Sequence, residues 1–256
     1  MKIITLTTDW GTTDHHVGAL KGLLYNVFPD VLVVDITHEI QHYSIQQAAY
    51  IFRNVYKRFP EGTVHILAVQ NAGKMKPDLL AIKKDGFGFV GMNDGLFSLI
   101  FGEQPPSNMV SVKLDIEQKP GFDLEVLTFV ATHLLSGQNV FELGNRPDEF
   151  VVRKGFEPVL EEDVIRGTVI YIDSFGNVVS NIHRDVFHSQ IKDRRFEIII
   201  RKLSVNKISS NYSDVVSGNM IALFNDAGYL EIASNQGQAN KLLGVKLNDQ
   251  IRIDIK

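Results

Sequence analysis

Carboxylates, amides and histidines collect in four short segments of the first half of the chain. These segments are 8–16, 35–39, 70–73 and 93–95. Asp9 is the sharpest candidate among them, because a carboxylate held at the end of a strand can accept hydrogen bonds from both hydroxyls of a sugar diol. Asp9 can equally organise its own turn through backbone hydrogen bonds. The sequence alone leaves both interpretations open.

A metal site is the second chemistry that these side chains could support, because Asp and His are ligands for hard and borderline cations. The candidate ligands are Asp9, Asp14, His15, His16, Asp35 and His38. Adjacent residues such as His15 and His16 point about 100° apart on a helix, so they rarely bind one ion together. We therefore expect capping or surface roles for them and no metal.

The composition excludes several functional classes. The 256 residues include no Cys, which excludes disulfides, iron–sulfur clusters and cysteine nucleophiles. A formal net charge of −4 argues against a partner that is a nucleic acid or an anionic membrane. No P-loop or GxSxG motif occurs, and no apolar run approaches the roughly 20 residues that span a bilayer. The chain begins with a strand-like run and not a signal peptide, so we expect a cytoplasmic protein.

The elements that must position the polar segments follow an α/β pattern over residues 2–137. We predict helices that begin after Asp14, which would cap the first, and at Ser44, where Gln47 completes a capping box. A third helix fits about 124–136, where we expect His133 to be a core histidine. The predicted strands are 2–8, 31–36, 63–69, 78–84, 87–92 and 109–114.

The run 31–36 is typical of a strand buried on both faces of a parallel sheet. Ligands bind beyond the carboxyl ends of the strands in such sheets. The four polar segments all follow predicted strands. We therefore expect them to meet at one edge of the sheet.

Beyond about residue 155 the pattern changes to strands separated by turns, with short helices at 184–190 and 238–243. The strands are predicted at 164–172, 177–182, 195–202, 219–224, 228–233 and 249–255. We therefore predict an α/β protein in which domain 1–155 has a mainly parallel sheet and domain 164–256 is a smaller antiparallel β domain or barrel.

A turn of the second domain could also contact a ligand. In segment 172–177, Phe175 could stack on a base and Asn177 could bond a purine edge. The alternative is a hairpin turn with a core Phe. The residues alone favour that alternative.

Taken in order, these segments resemble the S-adenosylmethionine (SAM) hydroxide adenosyltransferase family, which is related to SAM-dependent chlorinases and fluorinases. The similar pieces span nearly the whole chain: 8–11, 17–22, 34–40, 59–65, 93–96, 173–177 and 228–235. The resemblance implies a homotrimer, with the ligand between the first domain of one protomer and the second domain of its neighbour. It also implies no metal and no cofactor, with SAM as substrate or ligand.

The chemistry of that family is substitution at the ribose C5′ carbon of SAM, with methionine as leaving group. The resemblance implies that water cleaves SAM to adenosine and methionine. Two alternatives stay open: a non-catalytic protein that binds adenosine or SAM, and a different 5′-substitution on a SAM-like nucleoside.

In the first domain, the resemblance assigns the ribose hydroxyls to Asp9. Tyr43 takes the place of an aromatic residue that packs on the ribose. The other ligand-binding residues implied in this domain are Asp14, His15, His16 and Asp123.

In the second domain, the resemblance implies that Phe175 and Asn177 contact adenine and that Asp173 contacts the methionine ammonium. Asp226 would lie near the methionine carboxylate, and its charge would weaken the binding of SAM relative to a nucleoside without that carboxylate. The adenine edge would meet the backbone of Ser234, Asn235 and Gln236.

The chain departs from the family at one set of residues. Hydrolases of this family carry an Asp, an Arg and a His that position and activate water, and Gln70, Pro77 and Phe122 occupy those positions here. A missing general base typically costs ~10²–10⁴ in rate. We expect Gln70 and Asn71 to orient the water in place of the family's Asp, Arg and His.

Overall fold

The computed structural model describes residues 1–69, 78–113, 123–155 and 157–256. The chain divides into two compact units, Met1–Lys154 and Gly155–Lys256. None of the helices in these described ranges is long and apolar enough to cross a membrane.

The first unit is built around a seven-stranded sheet with helices on its two faces. Its strands are β1 (Ile3–Thr8), β2 (Leu32–Thr37), β3 (Val64–Ala68), β4 (Leu79–Lys84), β5 (Phe87–Met92), β6 (Asn108–Val112) and β7 (Gly144–Asn145). Its helices are α1 (His16–Val27), α2 (Ile45–Arg53), α3 (Leu96–Phe101) and α4 (Leu124–Leu135), with 3₁₀ turns at Tyr56–Arg58 and Val140–Leu143.

The strand order in this sheet is β2-β1-β3-β5-β4-β6-β7. Strands β1, β2, β3 and β5 are parallel, and the remaining pairs are antiparallel. The carboxyl ends of the parallel strands therefore lie at one edge. This confirms the expected meeting of segments 8–16, 35–39 and 93–95, whereas 70–73 lies outside the described residues.

Two packed layers hold this sheet. Helices α1 and α4 cover one face through apolar side chains such as Leu20, Leu24 and Val130. Helices α2 and α3 cover the other face, where Phe52 and Phe97 are fully buried. Burial of such large side chains stabilises each layer by roughly 1.5–3 kcal/mol per residue.

His133 is a core histidine of α4, as predicted. Its side chain is 8% exposed, and its Nε2 lies 2.9 Å from the carbonyl oxygen of Asn139. The ring therefore has a local structural partner at the end of the helix.

Strand β2 corrects one expectation, because it is not buried on both faces. Among the described strands it is the outermost of the sheet and pairs with β1 alone, and Leu32 is 44% exposed. A continuous apolar run predicts a strand but cannot tell an outer position from a central one.

The starts of two helices differ from the predicted caps. His15, not Asp14, is the N-cap of α1, and the His15 side chain makes no capping hydrogen bond. At α2, Ser44 accepts a hydrogen bond from the Gln47 backbone N–H, as expected. The Gln47 side chain accepts instead from the backbone N–H of Gln41, so only half of the predicted box forms.

The second unit is an eight-stranded, antiparallel, barrel-like sheet, which confirms the predicted class. Its strands are β8 (Val159–Leu160), β9 (Val164–Ile172), β10 (Val178–His183), β11 (Phe196–Ile200), β12 (Leu203–Val205), β13 (Met220–Phe224), β14 (Tyr229–Ser234) and β15 (Gln250–Ile255). The helices α5 (Arg184–Ile191) and α6 (Ala239–Leu243) and a 3₁₀ turn at Tyr212–Asp214 complete it. Alternate β-branched side chains such as Ile165, Ile232 and Ile253 fill its core.

Candidate functional site

Asp9 follows β1 directly, and only 3% of its surface is exposed. Its Oδ2 accepts a hydrogen bond from the backbone N–H of Tyr43, at 3.1 Å. Tyr43 has a φ of 68°, a left-handed conformation that is uncommon for a residue with a side chain. Asp9 therefore organises the loop that follows β2, and its ribose-binding role stays a prediction.

A chain of polar contacts runs beside Asp9 at the ends of β1 and β2. His38 is 5% exposed, and its Nδ1 lies 2.9 Å from Thr8 Oγ1. Its Nε2 lies 3.1 Å from Asp35 Oδ1, and the other Asp35 oxygen accepts from Lys21 Nζ at 2.6 Å. Burial raises the pKa of Asp35, but the hydrogen bonds from Lys21 and His38 outweigh it and hold that pKa below its ordinary value.

Two short motif matches lack the structure that their chemistry needs. His38 and His42 have the spacing of the zinc-protease motif HExxH, which requires a helix to bring both rings to one face. Here residues 38–42 are not helical, and His38 is buried whereas His42 is exposed. Gly86, Gly88 and Gly91 match GxGxxG but belong to the β4–β5 hairpin, not to a strand-to-helix turn.

The candidate metal ligands weighed in the sequence analysis do not form a metal-binding group in the described residues. In the described ranges, no group of three or more His, Cys, Asp or Glu side chains could hold a metal ion. Asp35 and His38 are instead engaged with Lys21 and Thr8.

The remaining predicted residues of the first unit fall into two groups. Asp14, His15 and His16 are exposed, with the two histidine rings 4.3 Å apart and Trp10 5.9 Å from the His16 ring. Asp123 caps α4, since its Oδ1 accepts from the Val126 backbone N–H at 3.1 Å. Capping accounts for Asp123 structurally, and ligand binding by these residues stays a prediction.

A further buried carboxyl group follows β5 at the same edge. Asp94 Oδ1 accepts from the Leu96 backbone N–H at 3.0 Å, whereas Oδ2 has no hydrogen-bond partner among the described residues. Burial raises the pKa of Asp94 to about 6, against smaller lowering effects of the Leu96 hydrogen bond and the Arg153 charge. Asp94 therefore changes its charge just below neutral pH.

In the second unit, the turn between β9 and β10 presents an aromatic ring to solvent. Asp173 Oδ1 accepts from the backbone N–H groups of Phe175 (2.9 Å) and Asn177 (2.8 Å), and Asp173 Oδ2 accepts from Asn177 Nδ2 (2.9 Å). Phe175 is 73% exposed, so the alternative of a core Phe is wrong. Gly176 has a φ of +80°, and a Cβ there would approach Asn240 Oδ1 to 2.5 Å.

Residues 234–236 form a tight turn after β14, next to the Phe175 turn. Gln236 has a φ of 55°, and Asn235 Nδ2 donates to the carbonyl oxygen of Val215 at 2.7 Å. Ser234 Oγ is buried without a hydrogen-bond partner in the described part of the chain. The Asn240 backbone N–H donates to the carbonyl oxygen of Gly176 at 2.9 Å, which ties the Phe175 turn to the start of α6.

Acidic side chains cluster at this end of the second unit. Glu231 is 3% exposed and accepts from the Tyr212 hydroxyl at 2.8 Å. Burial raises its pKa, and the negative charges of Asp173 and Asp226 add to that effect. Such a field favours a cationic ligand group. Sequence reasoning missed Glu231 and Tyr212, although a Glu inside the apolar strand β14 was an available signal.

The predicted water-orienting residues Gln70 and Asn71 lie outside the described residues. The same holds for Pro77 and Phe122, at the positions of the family's Arg and His. Their roles stay predictions from the sequence.

The pairing of an α/β unit with an antiparallel β unit, each carrying ordered polar turns, defines the class of protein. Residues 4–144 match the SAM hydroxide adenosyltransferase N-terminal domain, and residues 167–252 match the C-terminal domain. The chain belongs to the SAM hydroxide adenosyltransferase family.

Individual relatives extend over essentially the whole chain. The (R)-S-adenosyl-L-methionine hydrolase of Methanocaldococcus jannaschii is 30% identical and covers 99% of this chain and 96% of its own. The fluorinase of Nocardia brasiliensis is 25% identical, with 99% and 97% covered. The crystal structure of an uncharacterized conserved protein from Thermotoga maritima has a TM-score of 0.85 and 27% identity, covering 98% of this chain and 99% of that one.

Proposed function

We propose that this protein hydrolyses SAM to adenosine and methionine. Membership of the family over both units carries the proposal, since relatives named as SAM hydrolases span the full chain. The exposed ring of Phe175 supports it, because an aromatic side chain fixed by its turn suits stacking on a base.

In the proposed reaction, the oxygen of water attacks C5′ as the bond from C5′ to sulfur breaks. The electron pair of that bond stays on sulfur, which leaves as methionine, and the water proton passes to solvent. The sulfonium is already a good leaving group, so the protein mainly has to align the water. Alignment of this kind can supply roughly 7–11 kcal/mol of the barrier.

Each side chain has a part in this proposal. Asp9 accepts from the ribose hydroxyls and Tyr43 packs on the sugar. Phe175 and Asn177 hold adenine, and Asp173 attracts the methionine ammonium. Gln70 and Asn71 orient the water, and the remaining ligand contacts are proposed for Asp14, His15, His16, Asp123, Asp226, Ser234, Asn235 and Gln236.

Incubation of the purified protein with SAM tests the reaction. We expect adenosine and methionine in equal amounts by chromatography, and an Asp9→Asn variant that loses most of this turnover. Asp30→Asn is the matched control, because Asp30 is exposed and precedes β2, at the opposite edge of the sheet. Chloride or fluoride in a parallel sample shows whether a halide replaces water at C5′.

Binding without turnover is the second candidate, favoured by Gln70, Pro77 and Phe122 at the family's Asp, Arg and His positions. Calorimetry with adenosine and SAM separates the two. Binding without product would replace hydrolysis by the second candidate. No product and no binding would refute both.

The proposal includes a cytoplasmic homotrimer in which Asp9 and Phe175 of different protomers share one ligand. Mixed oligomers test this arrangement. Asp9→Asn and Phe175→Ala chains, each of reduced activity alone at low SAM concentration, should regain part of the lost activity when they are unfolded and refolded together, because some shared sites then carry both native residues. No recovery would contradict a shared site.

A further inference from the structure

The polar chain Lys21–Asp35–His38–Thr8 has a fixed direction. Asp35 accepts from Lys21 through Oδ2, so its other oxygen faces His38 Nε2 as an acceptor. His38 Nε2 meets that oxygen in a 3.1 Å polar contact that lacks the alignment of a hydrogen bond, and a proton on Nε2 makes this contact attractive and leaves Nδ1 bare. Thr8 must then donate its hydroxyl proton to Nδ1, across 2.9 Å.

This chain does not form a nucleophilic triad, although Thr, His and Asp occur in the order of one. Thr8 is 0% exposed, so its hydroxyl cannot reach a substrate. It also accepts from the Trp10 backbone N–H at 3.3 Å, across the turn that contains Asp9. The last hydrogen bond of this polar chain is therefore made to the backbone of the turn that carries Asp9.

Backbone hydrogen bonds join the same two loops. The Gly11 N–H donates to the His38 carbonyl oxygen at 2.8 Å, and the Ile40 N–H donates to the Thr8 carbonyl oxygen at 3.4 Å. Asp9 lies between these two connections and accepts from the Tyr43 N–H. The orientation of the Asp9 carboxylate thus depends on the loops that His38 joins.

We infer that His38 is a positioning residue, whose ring, polarised by Asp35 and Lys21, orients Asp9 for a ribose diol. The inference rests on the proposed function, because it assumes that Asp9 holds the ribose. It adds a device that selects ribonucleosides over 2′-deoxyribonucleosides, since only a correctly turned carboxylate can accept from both hydroxyls.

Asp35→Asn should reverse the direction of proton donation between His38 and Thr8 with little change in the shape of side chain 35. We expect the amide oxygen of this variant to keep Lys21 as its donor, which turns the amide NH₂ toward His38 Nε2. His38 must then carry its proton on Nδ1 and donate to Thr8, whose own proton loses its acceptor. Thr8→Val removes the last step by a different change.

Two measurements on the full chain test the inference. Imidazole ¹⁵N NMR, assigned with a His38→Asn variant, should show the Nε2–H form in the wild type and the Nδ1–H form in Asp35→Asn. Calorimetry with adenosine and 2′-deoxyadenosine should show a preference for adenosine of about tenfold or more in the wild type. We expect both Asp35→Asn and Thr8→Val to lose most of that preference while 2′-deoxyadenosine affinity changes little.

Asp163→Asn is the control, because it removes a comparable 2.7 Å ion pair, with Arg194, in the second unit. It should leave both readouts unchanged. Folded Asp35→Asn protein that keeps the preference, or a wild type in the Nδ1–H form, would overturn the inference. If the wild type binds neither nucleoside, the proposed function fails and the ribose role of His38 fails with it, whereas the NMR result still reports the direction of the chain.

Discussion

His65 should make the first unit sensitive to acid. Its ring is 0% exposed among aromatic side chains that include Phe52 and Phe89, and burial lowers its pKa to about 3 from the ordinary value of 6.5. Near pH 5 the His65 imidazole is therefore protonated in the unfolded chain but not in the folded one. Stability from this group is therefore complete above pH 6.5 and falls as the pH drops toward 3. At pH 5 the loss is about 2 kcal/mol, at 1.36 kcal/mol per pKa unit.

Asp94 acts in the opposite direction. Its folded pKa of about 6 lies above the ordinary 3.8, so the native state holds a proton that the unfolded chain releases. Stability from Asp94 is complete below pH 3.8 and is lost as the pH rises through 6. When the pH falls from 7.5 to 5, the contribution of Asp94 to the free energy of unfolding rises by about 1.4 kcal/mol. The two groups nearly cancel, so the wild type should change little over this range.

Single variants remove the cancellation. His65→Asn keeps an acceptor for Thr5 Oγ1, which lies 2.7 Å from the ring Nδ1, and should be relatively more stable at pH 5 than at pH 7.5. Asp94→Asn should instead lose about 2 kcal/mol over the same change. Urea unfolding followed by Trp10 fluorescence measures this, because Trp10 is the one Trp of the chain and lies in the first unit.

His188→Asn serves as the control, since His188 is exposed and belongs to the second unit. Its stability difference from the wild type, measured by the same Trp10 signal, should not depend on pH. The reasoning is refuted if the difference between His65→Asn and the wild type is the same at pH 5 and pH 7.5. Absolute stabilities do not matter for this test, because the cavity left by Asn is present at both pH values.

Three further predictions concern the second unit. Phe175→Ala should lower adenosine affinity by about 1–3 kcal/mol without a change in stability, since the ring is 73% exposed; calorimetry and thermal unfolding check the two parts. Gly176→Ala should lower both, because φ is +80° and the added Cβ meets Asn240; unchanged unfolding would contradict this. Asp226→Ser should raise SAM affinity relative to adenosine by about fivefold, as a like charge near the methionine carboxylate is removed; an unchanged affinity ratio would show that Asp226 lies away from it.

Strand positions could be predicted from the sequence because the signal is local. The predicted strand 87–92 is β5, and 164–172 is β9, each bounded by turn residues that lie next to it in the chain. Neighbours in a sheet are a long-range property. The apolar run at β2 therefore gave no sign that this strand is the outer one, with Leu32 exposed.

The candidate site shows the same division. The gathering of polar segments at one sheet edge follows from the parallel connection of strands, which alternating strands and helices already predict. The partner of each side chain does not follow. The spacing of His38 and His42 fits a zinc helix as well as a loop, and only the fold shows that His38 meets Thr8, 30 residues away. The sequence likewise fits a core or an exposed Phe175. In the fold its ring is exposed, in a turn that the Asp173 carboxylate closes.

The size of the competing effects favours slow turnover over binding alone. Loss of a general base costs ~10²–10⁴ in rate, or about 3–5 kcal/mol. Alignment and exclusion of competing water can supply roughly 7–11 kcal/mol, and departure of a sulfonium needs no proton. On the proposed function, alignment depends on Asp9 and Phe175, which are both present, whereas the base belongs to the positions now held by Gln70 and Phe122. The chain should therefore keep the larger contribution and lose the smaller one.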